Sequence, residues 1–259
     1  VMPDKMSEEK IAGLRAFGSK VVVCPTDVAP DDPRSYYCVS NRLAEETPGA
    51  ILANQYHNPS NPKAHILTTG PEIWEQTKGE FDVLVTSMGT GGTISGLGKY
   101  LKEQNPKLRI VGVDPVGSIY YDYFRTGRMT TAHAYRVEGF GEDFIPSTMD
   151  FSIVDEVIRV SDKECFQWTR RLVREEGIYA GGSGGGTVCA AVRYARQSSK
   201  KERILTILPD NGSRYLSKIF NENWMREGGY LEPDMGETRV SEILNHKSSN
   251  LVHATSSDT

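Results

Sequence analysis

Long apolar runs are missing from this 259-residue chain: no stretch approaches the ~18 apolar positions of a membrane-crossing helix, and the opening residues do not read as a secretory leader. No membrane partner is expected. Basic residues are not in excess, since 30 Lys and Arg against 34 Asp and Glu leave a net charge of −4. Such a chain has no broad attraction for phosphate backbones, so nucleic acid is not expected as a partner. Cysteine is sparse and unpatterned. Cys24, Cys38, Cys165 and Cys189 form no C-x-x-C pair, which argues against a zinc site or a disulfide framework and fits a reducing, cytoplasmic setting. His57, His65, His133, His246 and His253 form no H-E-x-x-H pattern, so no metal is expected.

What is present is a globular alternation. With 38% apolar residues the chain can bury a core. Short apolar runs alternate with helical patterns: "KVVVCP", "AILANQY", "FDVLVTSM", "RIVGVDP", "EVIRVS" and "RILTILPD" read as strands. Between them "SYYCVSNRLAEETPG", "PEIWEQTK", "ISGLGKYLKEQ" and "SRYLSKIFNENWM" read as helices. A capping box, Ser161-x-x-Glu164, opens a further helix that Gly177 closes, and Val188, Ala191, Val192 and Ala195 mark the apolar face of the next. Strands this apolar, separated by helices, predict an α/β fold of mostly parallel sheets covered on both faces. Ligands of such folds bind at the carboxyl ends of the strands. Val1 is not an initiator, and Ser7 with Glu8 and Glu9 reads as an N-cap before a helix carrying Ile11, Leu14 and Phe17. The chain is expected to be part of a longer protein. After Gly228-Gly229 the text turns polar, as a linker would.

Two glycine-rich stretches follow strands. In the first, Gly89-Thr90-Gly91-Gly92-Thr93 leads from an apolar strand straight into a helix. Backbone N–H groups there sit at the positive end of the helix with no bulk to block an anion, and two hydroxyls add donors. The chemistry suits one phosphate group. It lacks the lysine of a nucleotide-triphosphate loop and the spacing of a dinucleotide fingerprint. The plainer alternative is a tight turn with close strand-to-helix packing. In the second stretch, Gly181 to Thr187, five of seven residues are glycine, which is costly in backbone entropy unless something approaches closely. Ser183 inside it is either a helix N-cap or a hydroxyl held against a ring atom of a cofactor.

Six ordered blocks then carry a resemblance: "QYHNPSNPKAHILTTGPEIW", "GTGGTISGLGKYL", "VGVDPVGSIY", "VEGFGEDFIP", "GGSGGGT" and "LPDNGSRYLSKIFNENWM". Together they resemble the cysteine synthase and cystathionine β-synthase family of pyridoxal-phosphate enzymes, over essentially the whole of residues 1–231. Gln55-Tyr56, Asp114-Pro115-x-Gly117-Ser118 and "VSEIL" bring the wording closer to the cystathionine β-synthase branch. The resemblance implies the tryptophan synthase β-subunit-like fold, with a catalytic core at 1–231 whose N-terminal lobe is incomplete. It implies a linker and the start of a regulatory module at 232–259.

The cofactor implied is pyridoxal 5'-phosphate. By resemblance Gly89, Thr90, Gly91, Gly92 and Thr93 hold its phosphate, and Ser183 meets its pyridine nitrogen. A hydroxyl there leaves the ring a weaker electron sink than an aspartate would, which favours β-elimination over transamination. Gln55 is implied to hold the substrate carboxylate, with Gly139 and Gly141 as the wall beside the amino acid. For Gln55 an ordinary polar residue at a strand end is the alternative. The Schiff-base lysine is implied to lie upstream of Val1, since Lys5, Lys10 and Lys20 read as solvated surface, so no catalytic residue is expected within the chain. The activity implied is elimination of water from L-serine through an aminoacrylate and addition of L-homocysteine, giving cystathionine. Alternatives are cysteine synthesis from O-acetylserine and sulfide, or a non-catalytic phosphometabolite-binding relative. Amino-acid substrates, a homodimer or higher homo-oligomer and an S-adenosylmethionine-type effector complete the expected partners.

Overall fold

The computed structural model of the protein describes residues 1–231, so the expected linker and module start at 232–259 lie outside the described residues. At the N-terminal end β1 (Met2–Pro3) pairs in parallel with β2 (Val23–Cys24) across helix α1 (Glu8–Ala16). Helix α2 (Tyr36–Glu46) follows, its N-cap Ser35 accepting from Cys38 N–H. A nearly continuous helical stretch comes next: α3 (Ser60–Ala64), a π-turn at His65–Thr69, and α4 (Gly70–Thr77), with Pro71 in its first turn.

The core is a four-stranded sheet. Its members are β3 (Val83–Ser87), β4 (Arg109–Pro115), β5 (Glu156–Val160) and β6 (Ile204–Thr206), all parallel, in the spatial order β5-β4-β3-β6. Helix α5 (Gly92–Gln104) joins β3 to β4, and α6 (Tyr120–Thr126) follows β4. Helices α7 (Asp162–Glu176) and α8 (Gly182–Gln197) lie between β5 and β6, and α9 (Glu222–Glu227) comes last.

Strand side chains alternate between the two faces of the sheet. Val83, Val85, Val111 and Val113 pack into a buried cluster with Cys165 and Phe166 of α7 and Cys189, Ala190 and Tyr194 of α8. Leu84, Met88 and Ile110 pack oppositely, with Ile94, Leu97 and Leu101 of α5 and Tyr120 of α6. Both faces are therefore covered, as the near-continuous apolar strands require. Both halves of the predicted capping box are formed at Ser161 and Glu164, and Gly177 ends α7 at φ 69°.

Four expectations need correction. Ala50 to Tyr56 is not a strand: Ile51 is 92% exposed, and Asn54 has φ 46°, a left-handed turn that no strand accommodates. The stretch from Ser213 to Met225 is not one helix. A 3-10 turn at Gly212–Tyr215 and helix α9 divide it, because Asn221 caps α9 by accepting from Trp224 N–H. Ser7 is the N-cap of α1 as expected, though without a side-chain cap bond; the correction lies at the other end, where α1 stops at Ala16 and Phe17 is its C-cap, 91% exposed, rather than a helical residue.

The fourth correction concerns the second glycine stretch, which is the first two turns of α8 rather than a loop. Two of its glycines, Gly185 and Gly186, answer to another helix. A Cβ on Gly185 would stand 2.2 Å from Thr169 Oγ1 and 2.3 Å from the Cys165 carbonyl, both on α7. What approaches closely is α7 itself, and the backbone entropy lost to glycine is offset by that helix contact.

Candidate cofactor site

β3 delivers the chain to Met88 in the middle of the sheet, where Met88 N–H donates to Val113 O. Gly91 then takes φ 84°, which turns the backbone into α5 at Gly92. Among the described residues, no acceptor takes the N–H of Thr90, Gly91, Thr93 or Ile94. These are orphan donors at the positive end of a 13-residue helix. All four residues line a cavity of about 830 Å³, together with Gly89, Thr86, Ser87, Gln55, Gly139 and Gly141.

The cradle is tied down from several sides. Tyr120 Oη donates to Gly89 O at 2.7 Å, and the single hydrogen of Thr148 Oγ1 lies between two carbonyl acceptors, Thr90 O at 2.5 Å and Tyr56 O at 2.9 Å. Gly141 N–H donates to Met88 O at 2.7 Å, so the Gly139–Gly141 segment is held against the end of β3. Glu138, just before that segment, is 2% exposed. It accepts from Lys10 Nζ and Lys218 Nζ, each at 2.8 Å, and from Ser7 N–H at 3.3 Å.

The family profile of the pyridoxal-phosphate dependent enzymes matches residues 1–210. The chain belongs to the pyridoxal-phosphate-dependent enzymes. Within them it is similar to cystathionine beta-synthase from Oryctolagus cuniculus, 44% identical over 234 residues, which are 90% of this chain and 42% of that protein. It is also similar to the cystathionine beta-synthases of Apis mellifera, 42% identical over 233 residues (90% and 46%), and Saccharomyces cerevisiae, 39% over 242 residues (90% and 48%). The chain thus spans less than half the length of these relatives.

The residues present fit the cofactor of this pyridoxal-phosphate-dependent family. Four unpartnered N–H groups and the hydroxyls of Thr90 and Thr93 converge at a helix N-terminus, and a phosphate dianion is an acceptor only. The glycines serve the close packing of the turn: a Cβ at Gly89 would meet Gly139 O, and one at Gly91 would meet Met149. Not every expected residue faces the cavity. Gly92 lies behind it, against Asn61, whose Oδ1 would be 1.9 Å from a Cβ at that position. Ser183 is 3% exposed and lies outside the cavity lining, in the first turn of α8, where Gly181 rather than Ser183 is the N-cap. Its Oγ stands 4.0 Å from where a Gly139 Cβ would be. Gln55 is exposed in the cavity, on a turn and not at a strand end.

The expected surface role of the lysines is also corrected. Lys20 is exposed, but Lys10 pairs with buried Glu138, and Lys5 lines the cavity with Nζ 4.0 Å above the Tyr135 ring. Burial lowers the Lys5 pKa against the pull of nearby carboxylates, Glu142 foremost. Among the described residues no cluster of three or more His, Cys, Asp or Glu could hold a metal, and no helix is long and apolar enough to cross a membrane.

Glu142, also in the lining, has its pKa pushed up to about 8 by burial and then by Asp143. Asp114, buried behind the wall, is pushed up to about 7, mainly by burial. An acid whose folded pKa is raised favours the folded state fully below its unfolded value, near 4.5 for Glu142, and loses that advantage as pH climbs through the folded value. Stability is therefore expected to decline between about pH 4.5 and pH 8. Urea midpoints across that range should fall less steeply for Glu142→Gln than for the unsubstituted protein, and equal slopes would reject the assignment.

Sequence reasoning missed Asn61, His65, Tyr120, Thr148 and Glu142. Asn61 and His65, four residues apart in a helical stretch, carried a legible signal, because that spacing puts both on one face. For Tyr120 and Thr148 nothing local foretells a bond to the cradle more than thirty residues away in the chain.

Proposed function

We propose that the protein is a β-replacement enzyme that joins L-serine and L-homocysteine into cystathionine with release of water, in keeping with the name its relatives carry. The observation behind this reading is the set of unpartnered donors at the carboxyl end of β3, opening on a cavity large enough for a cofactor beside an amino acid. When bound, pyridoxal phosphate supplies an electron sink that eases loss of a proton from the amino-acid α-carbon.

The chain's own residues have the following parts in this proposal. The N–H groups of Thr90, Gly91, Thr93 and Ile94, with the Thr90 and Thr93 hydroxyls, hold the phosphate and fix the register of the ring. Ser183, whose Oγ lies 4.0 Å from where a Gly139 Cβ would be, would meet the ring nitrogen with a hydroxyl and leave it without a strong proton donor. Gln55 binds the substrate carboxylate from the cavity wall. The Gly139–Gly141 segment closes over the amino acid and excludes water, and its two glycines leave room for the side chain that departs. The lysine that anchors the cofactor and moves the α-proton is contributed by residues preceding Val1.

Adding serine to the holoenzyme is expected to move the visible cofactor band to longer wavelength. Homocysteine should then be consumed faster than sulfide at equal concentration. A band indifferent to serine, O-acetylserine and cysteine would reject catalysis in favour of simple binding. Faster turnover of O-acetylserine with sulfide would reject the substrate assignment and leave a cysteine synthase. Borohydride reduction followed by peptide mapping places the anchoring lysine, and an adduct on Lys5 would overturn its assignment to the preceding residues.

A further inference from the structure

We propose that Asn61 and His65 are positioning residues of the phosphate cradle, which occupy lone pairs on the Thr90 and Thr93 hydroxyls so that both hydroxyl hydrogens remain free for the phosphate. The inference rests on the cradle being the cofactor's phosphate site.

Asn61 lies in the first turn of α3, and His65 opens the π-turn four residues later. Helix α5 comes close enough for this contact because position 96 is glycine: a Cβ there would lie 2.4 Å from Pro62 O and 2.7 Å from His65 Cβ. Asn61 Nδ2 donates to Gln55 O at 2.7 Å and to Thr90 Oγ1 at 3.0 Å. Chemistry fixes which end of the amide faces these atoms, because a backbone carbonyl only accepts and its partner must be the NH₂ group. Gly92 N–H also points at Thr90 Oγ1, at 3.4 Å. With both lone pairs of that oxygen engaged by donors, its hydrogen has no acceptor among the described residues.

His65 repeats the arrangement at the second hydroxyl. Its Nε2 lies 3.1 Å from Thr93 Oγ1 and its Nδ1 3.0 Å from Thr69 Oγ1. Burial lowers the His65 pKa from its ordinary 6.5, so at neutral pH the uncharged ring, with one N–H, is the prevailing form. If that hydrogen is on Nδ1, Thr93 must donate to Nε2 and its hydroxyl is lost to the phosphate. If it is on Nε2, the ring donates to Thr93, Thr69 donates to Nδ1, and the Thr93 hydrogen is free. A bound dianion accepts and never donates, so it selects the second arrangement. Thr69, on the far side of the ring, can donate or accept, so it follows that choice by donating to Nδ1.

The test uses the holoenzyme, its ³¹P resonance and the equilibrium loss of pyridoxal 5'-phosphate on dialysis. Asn61→Asp keeps the shape but replaces the donor with an acceptor that captures the Thr90 hydrogen. It should shift the resonance and weaken retention about ten- to a hundredfold, the scale of one hydrogen bond to a charged group. Adding Asn61→Asp to Thr90→Ala should cost markedly less retention than Asn61→Asp does alone, since the effect carried by the hydroxyl is already gone and only the lost bond to Gln55 O remains. His65→Gln, which restores an N–H, should retain the cofactor far better than His65→Ala. The imidazole ¹⁵N spectrum should show hydrogen on Nε2 in the loaded protein. Additive losses at Asn61 and Thr90, equal behaviour of the two His65 variants, or hydrogen on Nδ1 would each overturn the positioning role. If Thr90→Ala and Thr93→Ala themselves leave the resonance and retention unchanged, the cradle assignment fails instead.

Discussion

Gly91→Ala is expected to abolish cofactor retention and to lower folding stability by about 3 kcal/mol or more. Two separate penalties combine at this position. Gly91 has φ 84°, where a Cβ is strained, and that Cβ would sit 2.5 Å from Met149 Cα and 2.8 Å from Met149 N. The obstructing atoms are backbone, so no rotamer change relieves the overlap. Either α5 shifts away from Met149 or the turn opens, and each displaces the donors of Thr90 and Thr93. Urea denaturation of the apo protein reads the stability loss, and the visible cofactor band after dialysis reads the site. Retention equal to that of the unsubstituted protein would mean that the phosphate is held elsewhere.

Glu138→Ala should be comparably damaging for an electrostatic reason. The carboxylate is 2% exposed and neutralises two lysines whose side chains are each only 17% exposed. Removing one partner of a buried ion cluster leaves charge without compensation, which costs about 3–5 kcal/mol. The three charges tie together the start of α1, the Gly139 segment and Lys218. Their loss should loosen the cavity wall as well as lower the urea midpoint. Replacing all three, as Lys10→Met, Glu138→Leu and Lys218→Met, should recover most of the stability because no unpaired charge remains. If Glu138→Ala and the triple variant unfold at the same midpoint, the cluster is not what holds this corner together.

The parallel core and the glycine cradle were legible because their signals are local. β4 runs from Arg109 to Pro115, the span of "RIVGVDP", and the Ser161 and Glu164 capping box forms as the four-residue pattern predicts. Unpartnered donors after β3 follow from glycine, threonine and a helix start alone. The failures share a different cause. "AILANQY" has strand-like composition, but a strand needs a neighbour, and no ladder accepts these residues. Gly181 to Thr187 suggested a ligand loop because local text cannot reveal that α7 lies against it. Lys5 and Lys10 looked like surface residues in a charged segment, yet the fold brings Tyr135 over one and Glu138 beside the other. Tertiary contacts between distant segments decide such cases.

The strand order has a temporal implication. Within the sheet, β3 is flanked on one side by β4, only a short helix away in sequence, and on the other by β6, through the pairing of Val83 with Ile204. As the chain emerges from a ribosome, β3 therefore has an unpaired edge until some 120 further residues have been made, as the Asp82 to Arg203 separation of 121 requires. Until then the strand that leads into the cradle is hydrogen-bonded to a neighbour on one edge alone.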